Sequence, residues 1–440
     1  MVQKMATGLF SSLTKQQKEA IGLLQIGTFL EYFDLMLYVH MAVLLNDMFF
    51  PKTDPHTAAL LAAFAFCSTY VLRPFGALIF GYIGDTIGRK TTVIITTFLM
   101  SISCVVMANL PTYAQIGIAA AWIVTGCRIV QGLSSMGEIM GAQIYITEIT
   151  KPPVQYPTVA FVAVASSLGG VAALGVAFLA THFGFNFRMA FWAGAGIAVI
   201  GSVARMRLRE TPDFLVMKEK ERKRKQLKKL GQEVSPPEKS SGKTLTAFFL
   251  IYCGWPLSFY LTFVFFNPIL TKNFGYTPET IIQHNLFLSL VFLLAYASSA
   301  MLSYKVHPLK IIKVRAYISI PFTLALPWLI DHCTHPSQLF VIQSLLMILA
   351  LASVPSEAVL VKAVPVLKRF TAASVIYALS RALVYILTSF GLVYLTEFFG
   401  QWGLLIIMIP ITIGFLWGVK HFEAIENKSK AKVSYLPLAA

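Results

Sequence analysis

Hydrophobic residues in this chain gather into long blocks separated by short polar connections. Blocks lie near 21–46, 58–83, 91–110, 116–146, 159–181, 188–206, 244–268, 285–304, 311–330, 337–361, 372–396 and 401–419. A helix crosses the hydrocarbon layer with about 20 mainly apolar residues, so the pattern predicts twelve transmembrane helices. The fourth and tenth blocks are long enough to tilt or to extend beyond the layer. The short alternating segments of an outer-membrane barrel are absent. Gln16, Lys18 and Glu19 precede the first block and no cleavage pattern follows it, so a retained span is expected rather than a signal peptide. The longest connection suggests three parts: an N-terminal six-helix bundle over 1–206, a basic linker over 207–243, and a C-terminal six-helix bundle with a short tail over 244–440.

Composition agrees with this reading. The chain has 440 residues, 56% hydrophobic and 13% charged, with a mean hydropathy of +0.69. Soluble domains carry about 25% charged residues, so a soluble enzyme is excluded. The net charge of +16 lies largely in the connections. Arg89, Lys90, Lys151, Lys305, Lys310, Lys313, Lys362, Lys368, Arg369 and Lys420 follow even-numbered spans, whereas the alternate connections hold little beyond Lys52 and Lys272. Basic connections stay inside, which places both termini in the cytoplasm. The linker segment "KEKERKRKQLKKL", Lys218–Leu230, reads as a helix near anionic headgroups, continuing into a flexible stretch. It is not expected to be a nucleic-acid site. Cys67, Cys104, Cys127, Cys253 and Cys333 show no metal or disulfide spacing and read as packing residues. His182, His284, His332 and His335 are expected near the outer membrane surface.

Ionisable residues inside the spans carry the chemistry, because they are costly there unless they face a partner or water. In the first span, "LEYFDLMLY" sets Glu31 and Asp34 three residues apart, on roughly one helix face. The fourth span places Arg128, Gln131, Ser135 and Glu138 in one polar stripe. Arg128 and Glu138 are separated by about 15 Å of helical rise, so each requires a partner on another helix or water. Together these groups imply a polar cavity within the bundle. "GYIGDTIGRK" puts Asp85, Gly88, Arg89 and Lys90 in one tight turn, where Asp85 is positioned to meet the positive end of another helix. Span five offers small-residue pairs, Ala165 with Gly169 and Ser166 with Gly170, for close packing. In span eleven, Tyr377 and Arg381 share a face, and Arg381 serves either an interdomain ion pair or a substrate carboxylate.

The chain resembles the major facilitator superfamily and, within it, the metabolite:proton symporters. "GYIGDTIGRK" is similar to the superfamily's loop between spans two and three. "RIVQGLSSMGE", "LEYFDLMLY" and "RETPDF" resemble signatures of the subgroup, in the same order. The resemblance implies an all-α integral membrane protein of two six-helix bundles. It places Glu31, Asp34, Arg128 and Glu138 among the subgroup's central polar residues, and Asp85 with Arg89 in its cytoplasmic gate. Thr86 and Met136 depart from the usual residues, and "SYKVHPLK", Ser303–Lys310, lacks the acid expected in the second-half loop. Closure is therefore expected to rest on the first-half loop. No heptads follow the last span, so a C-terminal coiled coil is not expected.

The expected activity is alternating access with proton symport, in a bacterial inner membrane, without a cofactor or metal. Glu31, Asp34 and Glu138 are candidates to carry the proton, since burial favours a neutral carboxyl group. Arg128, Gln131, Tyr38, Trp255, Tyr377 and Arg381 are candidates to bind substrate. Coupling is expected through a change in proton affinity when substrate binds. A zwitterionic osmolyte such as proline or glycine betaine is the first expectation. Tyr32, Phe33, Tyr38, Trp255 and Tyr260 are available for cation–π contact. A dicarboxylate or citrate is the second expectation, and a non-transporting sensor or scaffold the third. A monomer is favoured.

Overall fold

The structure is a computed structural model that describes residues 12–41, 45, 48–50, 70–183, 186–230 and 240–434. Lys52, Cys67, the first part of the predicted second span and linker residues 231–239 lie outside the described residues. The described regular elements are all helical. The first half contains α1 (Lys15–His40), α2 (Arg73–Thr86), α3 (Arg89–Asn109), α4 (Ile118–Ile149), α5 (Gln155–Phe183) and α6 (Phe187–Arg205). Thr14 caps α1 and forms a reciprocal box with Gln17, satisfying amide donors that would otherwise be unpaired. The linker contributes α7 (Pro212–Lys229), an exposed basic helix that buries Phe214.

The second half begins with a helical run, Gly242–Phe274, which contains a π-helical turn at Leu261–Phe265. Next come α8 (Pro278–Leu302), α9 (Pro308–Asp331), α10 (Pro336–Ile348), α11 (Glu357–Lys362), α12 (Val366–Ile386) and α13 (Leu404–Ser434). Seven helical runs among the described residues are long and apolar enough to cross a membrane. The block at 337–361 is not one helix. It breaks after Ile348 and resumes at Glu357, within a segment containing Pro355, whose missing amide cannot serve a helix interior.

Polarity is reversed relative to a soluble protein. Trp122 is 71% exposed and Phe398 78%, whereas Glu31, Asp34, Arg73, Arg89, Arg128, Glu138, Arg205, Glu357 and Arg381 are buried. Two helix pairs make the most extensive contacts between the halves, α2 on α12 and α5 on α8. Close approach explains the glycines at these seams. A Cβ on Gly81 would meet Thr371, and one on Gly84 would meet the Phe370 ring. In α5, Gly169 faces the Phe29 carbonyl of α1, while Ser166 and Gly170 border the central cavity. Cys104, Cys127 and Cys253 are buried free thiols. His284, two turns into α8, is buried and hydrogen-bonded to Gln343 at 2.8 Å.

Candidate functional site

A central cavity of about 100 Å³ lies between the halves. α1 supplies Tyr32 and α2 supplies Arg73; the second half supplies Trp255, Glu357, Tyr377 and Arg381. The Arg381 guanidinium lies 3.3 Å from the Tyr377 ring centre, and the Tyr377 and Tyr32 hydroxyls are 2.9 Å apart across the halves. The Arg73 guanidinium stacks on Tyr70 at 4.5 Å, and its Nε and Nη2 have no hydrogen-bond partner among the described residues. Trp255 stacks on Phe292 at 4.9 Å, and Phe292 packs on Tyr296 at 4.1 Å. The cavity therefore combines two fixed cations, an aromatic wall and one carboxylate.

The sequence-predicted polar residues divide into three groups. Trp255, Tyr377 and Arg381 line the central cavity. Asp34, Arg128, Gln131 and Tyr38 form a buried relay beside it. Arg128 donates to Gln131 at 3.1 Å, Gln131 donates to Asp34, and Arg128 stacks on Tyr38 at 4.3 Å. Glu31 and Glu138 border a separate small void with Thr97 and Cys104. Arg128 and Glu138 thus do find separate partners, but the four charged groups do not share one chamber. Glu138 is ion-paired with Arg205 and accepts from Thr97 at 2.9 Å. Both Glu31 oxygens are buried without a hydrogen-bond partner among the described residues. Of the five aromatics considered for cation–π contact, Tyr32 and Trp255 border the central cavity. Phe33 and Tyr38 belong to an apolar cluster within the first half, and Tyr260 to one mainly of the second.

Arg73, Arg205 and Glu357 are absent from the residue set chosen by sequence reasoning. A signal existed for Arg73, an arginine inside the predicted span 58–83. Arg205 sits at the very end of its span, where an arginine reads as an interfacial charge.

At the end carrying the Asp85–Lys90 turn, the halves are joined by a dense network. Asp85 accepts from the Phe370 and Thr371 amides at 3.0 and 2.9 Å, near the positive N-terminal end of α12. Arg89 donates to the carbonyls of Gly84 and Val366, each at 2.6 Å, and pairs with Glu148 at 3.3 Å. Arg369 reaches the same Glu148 at 2.9 Å. Glu210 accepts from the Arg89 and Lys90 amides at 3.1 and 3.3 Å, capping α3. Gly88 takes φ 154° and ψ 160°, a backbone open to glycine, and a Cβ there would strike Glu210.

Residues 23–305 match the sugar (and other) transporter family. The chain belongs to that family. Its helical arrangement is the major facilitator fold. A bound form of a proton:xylose symporter of the superfamily superposes with a TM-score of 0.71 at 15% identity, covering 92% of this chain and 94% of that one. The human organic anion transporter MFSD10 gives 0.68 at 14% identity, covering 93% and 100%. Among sequence relatives, the inner membrane metabolite transport protein YhjE of Escherichia coli is 34% identical over 197 residues, 43% of this chain and 45% of the relative. The proline/betaine transporter of Salmonella typhimurium is 33% identical over 204 residues, 45% and 41%. The matched stretch thus spans less than half the length of these relatives.

Proposed function

We propose that the chain is a proton-coupled secondary transporter importing a small zwitterion such as proline or glycine betaine across a bacterial inner membrane. Twelve spans form two six-helix halves, 1–206 and 244–440, joined by the basic linker, with both termini cytoplasmic. One observation supports the reading above the rest: a cavity between the halves presents Arg73 and Arg381 together with Glu357 and an aromatic wall. The arginines suit a carboxylate, and the acid and rings suit an ammonium. The names of the sequence relatives point the same way.

Glu31 is the proton carrier in this scheme, because Asp34 and Glu138 already have strong partners. Arg73 lies within electrostatic reach of Glu31. A substrate carboxylate on Arg73 competes with Glu31 for that cation, so substrate entry favours protonated Glu31. Proton and solute then travel together. The turn at Asp85, Gly88, Arg89 and Lys90 closes the cytoplasmic side and must part for release. The two cavity arginines also support a second reading, symport of a dicarboxylate.

Proteoliposomes with an imposed pH gradient test both readings, using labelled proline, glycine betaine, α-ketoglutarate and citrate. Gradient-driven accumulation of either zwitterion is expected. Accumulation of the acids alone establishes the second reading, and no accumulation of any solute refutes both.

A further inference from the structure

Glu357 lies at the start of α11, just after the non-helical break in the predicted tenth span. It is 1% exposed and borders the central cavity. Its Oε1 accepts from Ser353 at 3.1 Å. Its Oε2 is buried with no hydrogen-bond partner among the described residues. Arg315, within electrostatic reach of it, donates Nη2 to the carbonyls of Ala352 and Val354. A buried carboxylate oxygen left without a donor is costly. Glu357 therefore carries an unpaired acceptor oxygen at the wall of the cavity.

Resting on the zwitterion reading above, we propose that Glu357 is a specificity-determining residue that selects ammonium groups bearing N–H. Its free oxygen accepts a charge-assisted hydrogen bond from a primary or secondary ammonium. A quaternary ammonium has no hydrogen to give and leaves that oxygen unsatisfied. The aromatic wall at Trp255, Phe292 and Tyr296 serves both classes, since ring faces attract any cation. A site built to hydrogen-bond a group discriminates strongly against the analogue lacking it. The preferred ligand class is thus amino or imino acids over fully N-methylated betaines.

A matched series isolates the N–H count: proline, N-methylproline and N,N-dimethylproline, which share one ring and one carboxylate. The full chain is reconstituted in proteoliposomes, and each compound is measured as substrate and as competitor. In the unaltered protein the apparent affinity is expected to fall chiefly between N-methylproline, which keeps one N–H, and N,N-dimethylproline, which has none. Glu357→Gln is expected to weaken proline by about tenfold, equal to about 1.4 kcal/mol, and to change N,N-dimethylproline less than about twofold. Retained uptake of the dimethyl compound shows that the variant is folded. Glu357→Asp keeps the charge and is expected to restore part of the N–H preference, which also covers a Glu357→Gln variant that fails to fold. Equal losses for all three compounds, or a preference for the dimethyl compound that Glu357 supports, overturn the assignment. Absence of uptake for the whole series in the unaltered protein instead refutes the zwitterion reading itself.

Discussion

Arg89 and Arg381 are both buried guanidiniums at the boundary of the two halves, yet they have opposite surroundings. Arg89 binds two carbonyl oxygens and the carboxylates of Asp85 and Glu148. Arg381 has a 3.5 Å contact to the Tyr377 carbonyl and the face of the Tyr377 ring. The same contrast separates Glu148, which meets Arg89, Arg369 and Thr211, from Glu357 and Glu31, which keep unsatisfied oxygens. Charges that hold a shape are saturated by protein groups. Those left partly open face the interior spaces, where a solute or proton supplies what is missing. A buried ion stripped of its partner is expensive, so the two kinds of site should respond differently to substitution.

The largest effect is expected from Arg89→Ala, which removes one of the two guanidiniums paired with Glu148, the ion pair of Asp85 and the donor to the Gly84 and Val366 carbonyls. It should cost about 3–5 kcal/mol and lower the thermal midpoint in detergent. An unchanged midpoint would break the contrast. Glu138→Gln comes next, because it leaves Arg205 without its counter-charge, and a loss of about 2–3 kcal/mol is expected. Glu31→Gln should leave the midpoint unchanged or raised, while abolishing proton-driven accumulation and sparing exchange of solute at equal pH. If both variants lose stability alike, the distinction between the two carboxylates fails. Arg381→Lys sharpens the cavity side: it replaces the flat fork lying on Tyr377 with a point charge. Uptake should fall by about tenfold, with stability altered by less than about 1 kcal/mol. Lys223→Ala is the smallest, since its pair with Glu219 is solvent-exposed and such pairs contribute little. No measurable change in uptake is expected.

Much of this arrangement was legible in the sequence because lipid imposes one simple demand, long apolar helices with costly ions inside. The small residues of α5 and the compact turn at Asp85 were readable for the same reason. Partnership was not. The stripe from Arg128 to Glu138 shows that each charge needs a partner, but which helix supplies it depends on how distant segments pack. Arg205, 67 residues beyond Glu138, carries no mark of that pairing. Periodicity also conceals interruptions: "LASVPSEAVLV" is apolar enough to continue a span, and Pro355 within it was the readable sign of the break. The division between central cavity and side void lies beyond any one-dimensional pattern, because it depends on side-chain volumes meeting from several helices.

On the second-half side, the seam at Asp85 is written largely in peptide groups. Asp85 grips two amides and Arg89 grips a carbonyl, which residues 366, 370 and 371 provide with any side chain, proline at 370 or 371 apart. Exchange of those side chains cannot by itself undo the latch, whereas displacement of the whole helix can. The first half thus holds the key in its side chains, and the second offers a keyhole that tolerates mutational drift.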